Sequence, residues 1–424
     1  MIIFILNCGS SSIKYQLINT QNEYVMAKGL IERIGMDGAI LKHSVHNSAA
    51  VEIKAEIPNH KVGIQMIIQA LTDEANGVIK SMAEIEAVGH RIVHGGERFG
   101  DSVLITPDVI ESIEDCYEIA PLHNPPNMEG VHACQEIMPD VWQVAVFDTA
   151  FHQTMPPEAY LYGLPYEEYE NYGLRRYGFH GSSHKYVAHR AARLMEQDIT
   201  DLRIITCHLG NGASLAAVKY GHSVDTSMGF TPLEGLIMGT RCGEIDPTVV
   251  QFLIKKKGIT PEEMDVELNR RSGVLGISGI SSDFRDLETA MKAGNERAEL
   301  AINMFCYRVR KYIGAYAAAM GGVDAVVFTA GLGENSSLVR KKICQSLKFI
   351  GIKLDLVRND VRGKEKEISA EDSPVKVFVI PTNEELVIAR DTLRLCRRIR
   401  KKCGCSVVNE HCGHEDKEHH DHKH

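Results

Sequence analysis

The chain has 424 residues, of which 44% are hydrophobic and 24% are charged. This length favours two or three domains, and the composition is ordinary for a globular protein with a sizeable core. The formal net charge is −9, from 47 basic and 56 acidic residues. The charge therefore argues against nucleic acid and anionic membrane as main partners, because both favour a basic protein face.

No stretch of sequence approaches the ~18 uncharged apolar residues of a membrane span, and the apolar run at residues 1–6 is too short for a signal sequence. Seven of the eleven cysteines are scattered through the body of the chain without the spacing of a disulfide framework. This usage is typical of a reduced enzyme, so we expect a cytoplasmic protein without a membrane partner.

The first predicted elements are two strands joined by a turn rich in Gly and Ser, at residues 2–18 (IIFIL, NCGSSS, IKYQLI). The same order recurs at residues 203–220 (RIITCHL, GNGAS, LAAVKY). The repeat indicates an internal duplication, in which two similar α/β domains face each other across a cleft.

Further along the chain, a buried strand is predicted at residues 140–147, ending at Asp148. A long amphipathic helix is predicted at residues 296–320, and the glycine pair after it acts as a C-cap. A second buried strand at residues 324–329 leads directly into the glycine loop AGLGENSS. Strand, glycine loop and polar cluster in this order are typical of a nucleotide site at the carboxyl end of a strand.

The last predicted helix begins near Thr382, which forms a capping box with Glu385. After residue 402 the composition changes, and residues 403–424 contain six His, three Cys and five acids with almost no apolar side chains. We predict that this segment is a disordered tail.

Phosphate binding cannot use a Walker A loop or a G-x-G-x-x-G loop, because the sequence contains neither. Three glycine-containing turns after apolar strands are the candidates instead, at residues 7–12, 208–212 and 331–335. For each of them a plain tight turn is the alternative.

Two histidine pairs have i, i+4 spacing, at positions 90 and 94 and at positions 180 and 184. A zinc-protease helix would need Glu at the second place of the motif, where this chain has Arg91 and Gly181. Nearby glycines also argue against a helix through either pair. A catalytic zinc site is therefore not predicted.

Arg91 and Arg241 each lie in a glycine-rich loop beside apolar strands. A lone arginine of this kind is usually a solvated charge, but two of them are better explained as clamps for an anion, since arginine grips carboxylate or phosphate bidentately. Asp148 ends a buried strand, and the pattern leaves open whether it is a cap or an active-site carboxylate.

Ten segments together closely resemble the acetate kinase family of acetate and propionate kinases. They are NCGSSSIKY (7–15), GHRIVHGGE (89–97), APLHNPPN (120–127), AVFDTAFH (145–152), RRYGFHGSSH (175–184), CHLGNGAS (207–214), DTSMGFTPLEGLIMGTRCGEIDP (225–247), ISGISSDFRD (277–286), TAGLGENS (329–336) and TNEE (382–385). The resemblance covers about residues 1–400, and the ten segments follow one another in the same order as in the family.

The resemblance implies an α/β fold of two duplicated actin-like ATPase (ribonuclease H-like) domains with a nucleotide cleft between them. The N-terminal domain is expected at residues 1–150 and is completed by the C-terminal helix 384–402. The nucleotide-binding C-terminal domain is expected at residues 151–383, and the disordered tail at residues 403–424 follows the C-terminal helix.

The implied reaction is direct in-line transfer of the γ-phosphoryl group of ATP to a carboxylate oxygen, which needs positioning and charge stabilisation more than covalent chemistry. The resemblance implies that Asn7 and Glu384 hold Mg²⁺ partly through water, with Mn²⁺ as an alternative ion. It also implies that Lys14 approaches the nucleotide phosphates.

For the acceptor, the resemblance implies that Arg91 holds the carboxylate, while Arg241 and His180 stabilise the phosphoryl oxygens. Asp148 has the implied role of catalytic acid or base. An ionised carboxylate needs no proton removed at neutral pH. Orientation of an arginine or of the substrate by Asp148 is therefore the alternative.

Nucleotide contacts are implied for three further segments, which comprise His208, Leu209, Gly210, Asn211 and Gly212; Asp283, Phe284 and Arg285; and Gly331, Leu332, Gly333, Glu334 and Asn335. The alkyl group of the small acid is expected to contact Val93, Leu122, Phe179 and Pro232, for which ordinary core packing is the alternative. Val93 favours acetate, because a smaller residue there would admit propionate, although one methylene is worth only about 1–3 kcal/mol.

The resemblance thus implies acetate kinase activity, with propionate kinase activity as the runner-up, and a homodimer. A non-catalytic nucleotide-dependent binding or filament protein would not need the residues of the carboxylate clamp. A chiefly metal-handling protein would leave about 400 residues unexplained. The Cys and His residues of the tail offer ligands for Zn²⁺ or Ni²⁺, and a merely solvated tail is the alternative.

Overall fold

The computed structural model describes residues 1–46 and 48–403. Contacts divide the described chain into two compact units, of which the first comprises Met1–Ala150 with the described residues from Asn383 onward and the second comprises Phe151–Thr382. The tail predicted at residues 403–424 lies, beyond Cys403, outside the described residues. Within the described part of the chain, no helix is long and apolar enough to cross a membrane.

The strands are β1 (Ile2–Gly9), β2 (Ser12–Asn19), β3 (Tyr24–Glu32), β4 (Ile40–Val45), β5 (Val51–Lys54), β6 (Ala87–Ile92), β7 (Val103–Leu104), β8 (Trp142–Phe147), β9 (Arg203–Leu209), β10 (Ala213–Lys219), β11 (His222–Thr226), β12 (Ala325–Thr329), β13 (Lys366–Glu367) and β14 (Lys376–Val379). The helices are α1 (His60–Leu71), α2 (Pro107–Glu114), α3 (Asn124–Ile137), α4 (Pro157–Tyr160), α5 (Tyr166–Tyr172), α6 (Gly181–Leu194), α7 (Pro247–Lys257), α8 (Pro261–Arg270), α9 (Gly273–Ser278), α10 (Phe284–Lys292), α11 (Glu296–Met320), α12 (Ala330–Asn335), α13 (Ser337–Cys344) and α14 (Glu384–Cys403).

The first unit is built on a sheet with the strand order β5-β4-β3-β2-β1-β6-β8-β7. Strands β1 to β5 pair antiparallel, whereas β1, β6 and β8 run parallel. Successive residues of β1 face opposite sides of the sheet, so Phe4 and Leu6 share a core with α1 and α3, while Ile3 and Ile5 share one with α14. Burial on both faces explains the continuous apolar run at the start of the chain.

The second unit is built on a sheet with the order β11-β10-β9-β12-β14-β13. Strands β9 to β11 pair antiparallel, and β9, β12 and β14 run parallel. The five strands β11-β10-β9-β12-β14 therefore repeat the order and directions of β3-β2-β1-β6-β8. The predicted α/β fold with an internal duplication is confirmed, and the cleft between the domains stays a prediction.

The long helix predicted at residues 296–320 is confirmed as α11. The side chain of Asn295 accepts the N–H of Ala298 at its start, and Gly321 ends it with a φ of 73°. The strand predicted at residues 140–147 is β8, which begins two residues later and ends immediately before Asp148.

The predicted capping box of Thr382 and Glu385 is wrong. Helix α14 begins at Glu384, and the side chain of Asn383 accepts the N–H of Leu386, as an N-cap does. The Thr382 hydroxyl instead donates to Ser183, and Glu385 forms an ion pair with Lys14. Asn383 is the stronger cap by side-chain preference, but the sequence places both candidates side by side.

Two further local predictions are corrected. Residues 330–335 form the short helix α12 rather than a glycine loop, and the chain enters it through Ala330 at a φ of 63°. Helix α6 begins at Gly181, where no helix was expected, and His180 precedes it at a φ of 57°. Non-glycine residues in this left-handed region store strain, which is common at functional sites.

Candidate active site

Arg91 and Asp148 form a bidentate ion pair in the first unit. Arg91 lies near the end of strand β6 and not in the predicted loop, because its backbone pairs with β8. Asp148 directly follows β8, and these parallel neighbours bring both residues to one edge of the sheet. Arg91 donates from Nε to Oδ1 at 3.0 Å and from Nη2 to Oδ2 at 2.6 Å. A guanidinium has five N–H donors, so the Nη1–Nη2 edge of Arg91 still has the donors to grip a second anion.

Two further acidic side chains, Glu384 and Glu385, act on the charge of Arg91. Burial raises the pKa of Glu384, while Arg91 opposes the rise and the Asp148 carboxylate adds to it. Glu385 pairs with Lys14, which lies opposite Asn7 in the β1–β2 pairing. The first unit thus gathers the sequence-predicted residues Asn7, Lys14, Arg91, Asp148 and Glu384.

The donor set of Asn7 and Glu384 fits Mg²⁺. The described residues contain no group of three or more His, Cys, Asp or Glu side chains arranged to hold a metal. Mg²⁺ rarely uses such a cage, because it keeps several waters and binds through one or two carboxylates together with substrate phosphates. One carboxylate and one amide oxygen, both hard ligands, meet that requirement.

In the second unit, His180 and Arg241 converge on Gly212. A Cβ atom added to Gly212 would lie 3.5 Å from Arg241 Nη1 and 3.7 Å from His180 Nε2. Arg241 Nη1 donates to the Pro232 carbonyl at 3.4 Å, and no acidic group of the described residues contributes to the pKa of Arg241. Burial lowers the pKa of Arg241. A partly buried guanidinium without an acid is suited to receive an anion.

A cavity of about 710 Å³ in the second unit joins parts of all three predicted nucleotide segments. Its volume is within the range of ~300–1,000 Å³ of small-ligand sites. The predicted residues that line it are Gly210, Asn211, Asp283, Phe284, Arg285, Gly331, Leu332 and Asn335.

The cavity is also lined by residues to which the sequence gave no role. Ser282 and Ser336 lie in the family segments, whereas Glu288 and Arg362 lie outside them. Glu288 lies one helical turn after Phe284 and Arg285 on α10, so helical spacing could have found it. Arg362 lies far from the predicted segments in sequence and offers no such signal.

Five residues of the three predicted nucleotide segments do not line this cavity, and neither does Lys14, which lies in the first unit. Leu209 is fully buried, and the His208 ring is hydrogen-bonded to Ser183 at 2.8 Å. The Gly333 carbonyl accepts from Arg340, and the Glu334 carboxylate accepts the N–H of Thr382. The fifth, Gly212, lies beside Arg241 and His180.

Comparison with known proteins identifies the family. The model of the acetokinase family matches residues 2–390. The chain belongs to the acetokinase family. The resemblance seen in the sequence is therefore confirmed.

Relatives in the acetokinase family are similar over almost their full length. A protein of Alkaliphilus metalliredigens named acetate kinase is 61% identical over 395 residues, which are 93% of this chain and 100% of the relative. The crystal structure of Porphyromonas gingivalis acetate kinase has a TM-score of 0.90 at 50% identity and covers 93% of this chain and 99% of that one. A propionate kinase structure from Francisella tularensis has a TM-score of 0.87 at 41% identity, with coverage of 93% and 99%.

The four predicted substrate-pocket residues of this acetokinase-family chain lie in different settings. Val93 is half-buried, and Leu122 is 56% exposed, so core packing does not explain Leu122. Phe179 is 3% exposed in the second unit, where the Pro232 carbonyl accepts from Arg241. A common pocket for the four stays a prediction.

Asn127 is a further supporting residue, which the sequence placed in a family segment without a role. Its Nδ2 donates to the Cys8 carbonyl at 2.6 Å, and its Oδ1 accepts the Val93 N–H at 3.0 Å. Asn127 therefore links the chain next to Asn7 with the loop that follows Arg91. An amide side chain offers both the donor and the acceptor that these two contacts use.

Proposed function

We propose that this chain is an acetate kinase, which reversibly transfers the γ-phosphoryl group of ATP to acetate and yields acetyl phosphate and ADP. Family membership and the names of the curated relatives support the activity. The proposal is carried by the geometry of Arg91. Asp148 fixes its guanidinium through Nε and Nη2, and the Nη1–Nη2 edge can still bind a carboxylate.

The proposed reaction needs no proton transfer. Acetate is ionised at neutral pH, as carboxyl groups with pKa values near 4 are. Its oxygen attacks the γ-phosphorus in line, and the bond from this phosphorus to the bridging oxygen breaks, with the electron pair leaving on ADP. Arg91 orients the acid, and Asp148 orients Arg91, so Asp148 has a positioning role rather than that of a base.

Charge stabilisation is the second requirement. Arg241 and His180 donate hydrogen bonds to the phosphoryl oxygens as charge redistributes, and each such donor is worth about 10²–10³-fold in rate. Lys14 and the nucleotide segments of the second unit hold ATP. Asn7 and Glu384 would hold Mg²⁺, or Mn²⁺ as its substitute, and the ion would neutralise part of the phosphate charge.

Propionate kinase activity is the second candidate, and the structural similarity to a propionate kinase favours it. Acetate is preferred because the curated relatives at about 60% identity carry the acetate name and because Val93 limits the length of the acid. We also propose a cytoplasmic homodimer, and a tail that binds Zn²⁺ or Ni²⁺. Deletion of residues 403–424 should leave turnover intact and lower zinc affinity.

An acetyl-phosphate assay with Arg91→Ala tests the proposal. The variant is expected to be nearly inactive while ATP binding survives. Arg190→Ala is the matched control, because Arg190 forms the same bidentate pair with Glu365 at the surface. Full activity of Arg91→Ala would refute the carboxylate clamp, and an inactive wild-type protein that still binds ATP would favour a non-catalytic function.

A further inference from the structure

A chain of buried side chains leads away from His180 in the second unit. His180 Nδ1 lies 2.8 Å from Ser214 Oγ, and the same oxygen lies 2.8 Å from His184 Nε2. His184 Nδ1 in turn lies 2.7 Å from Thr206 Oγ1. Thr206, His184 and Ser214 are fully buried, so solvent does not compete for these hydrogen bonds.

The hydrogen bonds of this chain must run in one direction. Each hydroxyl has one proton to donate, and each neutral imidazole has one N–H and one bare nitrogen. If Thr206 donates to His184, then His184 donates to Ser214 and Ser214 donates to His180 Nδ1. His180 then carries its proton on Nε2. In the opposite direction, a neutral His180 carries its proton on Nδ1 and presents a bare Nε2.

Distances at Thr206 select the first direction. The other acceptor for its hydroxyl is the Ala216 carbonyl at 3.5 Å, whereas His184 Nδ1 is at 2.7 Å. A contact at the longer distance is a weak hydrogen bond. The Thr206 hydroxyl therefore donates its proton to His184 Nδ1.

The Arg241 guanidinium lies near His180 and opposes a positive charge on its ring. Its Nε2 faces the same Gly212 position as the Arg241 guanidinium, and its ring stacks on His208 at a centroid distance of 4.1 Å. A second positive charge beside Arg241 is disfavoured by repulsion. A neutral His180 can face an anionic phosphoryl oxygen only if Nε2 carries the hydrogen.

We propose that Thr206, His184 and Ser214 are positioning residues that hold neutral His180 as its Nε2–H tautomer, so that it donates a hydrogen bond to the transferred phosphoryl group. The inference deepens the proposed function and rests on it. His184 and Ser214 touch no substrate in this scheme, and they act through His180 alone.

The decisive experiment measures kcat of Ser214→Ala in two backgrounds. In the wild-type background the substitution is expected to lower kcat about 10-fold with little change in either KM, since it removes the donor that fixes the tautomer. In the His180→Ala background it is expected to change kcat less than about 2-fold, because residues that act as a unit are not additive. Equal losses in both backgrounds overturn the proposal.

Two further variants separate the outcomes. Thr206→Val removes the first donor at nearly constant volume, and it should reproduce the background dependence if Ser214→Ala does not fold. Ser373→Ala, which also deletes a buried hydroxyl of this unit with its own hydrogen bonds, should keep kcat. If His180→Ala itself keeps full kcat, His180 has no role in the proposed reaction. That result differs from equal losses in the two backgrounds, which overturn only the role of the hydrogen-bonded side chains behind His180.

Discussion

Arg91 and Asp148, 57 residues apart, are joined by two parallel hydrogen bonds in which Nε and Nη2 each donate to one carboxylate oxygen. The Asp148 side chain is 3% exposed and that of Arg91 is 22% exposed. Such a pair is costly to break from one side, because the other charge is left buried and misaligned. The pair therefore fixes the direction of the guanidinium edge that is left for a substrate.

Replacing Asp148 with Asn should lower kcat/KM for acetate about 100-fold, which is ~2.7 kcal/mol, because the amide keeps the shape but loses the charge that aligns Arg91. Steady-state kinetics with varied acetate measures this loss. Glu365→Gln is the control, because it removes one carboxylate charge from the surface pair with Arg190. It should change kcat/KM for acetate less than about 2-fold. A pH profile that loses a limb in Asp148→Asn would contradict the positioning role and support a base.

Val93→Ala should shift selectivity toward propionate. The added space accommodates one methylene, so the ratio of kcat/KM for propionate over acetate is expected to rise about 10-fold, which corresponds to ~1.4 kcal/mol. Val45→Ala is the control, since Val45 is a half-buried residue of β4 in the same unit. An unchanged ratio in Val93→Ala would remove Val93 from the specificity pocket.

Gly331→Val should weaken nucleotide binding without unfolding the protein. A Cβ at Gly331 meets no atom within 4 Å, and Gly331 lines the cavity, so a new side chain occupies space expected for ATP. We expect KM for ATP to rise about 10-fold, equivalent to ~1.4 kcal/mol, while KM for acetate stays constant. Gly314→Val adds the same group to a helix site with equal clearance outside the cavity, and KM for ATP should not change there.

Asp225→Asn should stabilise the protein at neutral pH. Burial raises the pKa of Asp225 to about 6, whereas Arg176 and the Thr226 N–H lower it. The unfolded value is ~3.9. As pH falls, Asp225 therefore binds its proton in the folded state before it does so in the unfolded state. The ionised carboxylate lowers the free energy of unfolding above about pH 6, and this loss of stability disappears towards pH 4.

Calorimetry at about pH 8 and about pH 4.5 checks this expectation. The midpoint temperature of thermal unfolding should be a few degrees higher for Asp225→Asn than for the wild type at the higher pH, and this difference should shrink at the lower pH. Asp246→Asn should act in the opposite direction, because hydrogen bonds from Thr248 lower the pKa of Asp246. A difference for Asp225→Asn that is independent of pH would contradict the assignment.

The sequence predicted central strands of both sheets, two of the helices and many of the residues of the candidate site. Apolar runs located β1, β8, β9 and β12, and the glycine after a periodic segment located the end of α11. These features depend on neighbours within a few residues, so a local pattern carries them. The family segments added the names of residues whose roles no local pattern reveals.

Local signals failed where a distant partner decides the conformation. The capping box at Thr382 did not form, because its hydroxyl bonds to Ser183, about 200 residues earlier in the chain. The helix at residues 330–335 requires Ala330 at a positive φ, which propensity disfavours and only the surrounding fold can enforce. Arg362 joined the nucleotide cavity for the same reason, since it lies far from the predicted segments in sequence and only folding brings it there.

The sequence by itself determined the duplicated strand–turn–strand pattern, the glycine segments and the family, because each of these is written in contiguous residues. Only the tertiary structure decided that Asp148 accepts hydrogen bonds from Arg91 and that Ser214 is hydrogen-bonded to both His180 and His184. Sheet pairing and the packing of α6 against the second sheet set these contacts. Hydrogen bonds between residues far apart in sequence depend on distances of a few tenths of an ångström, which no linear pattern specifies.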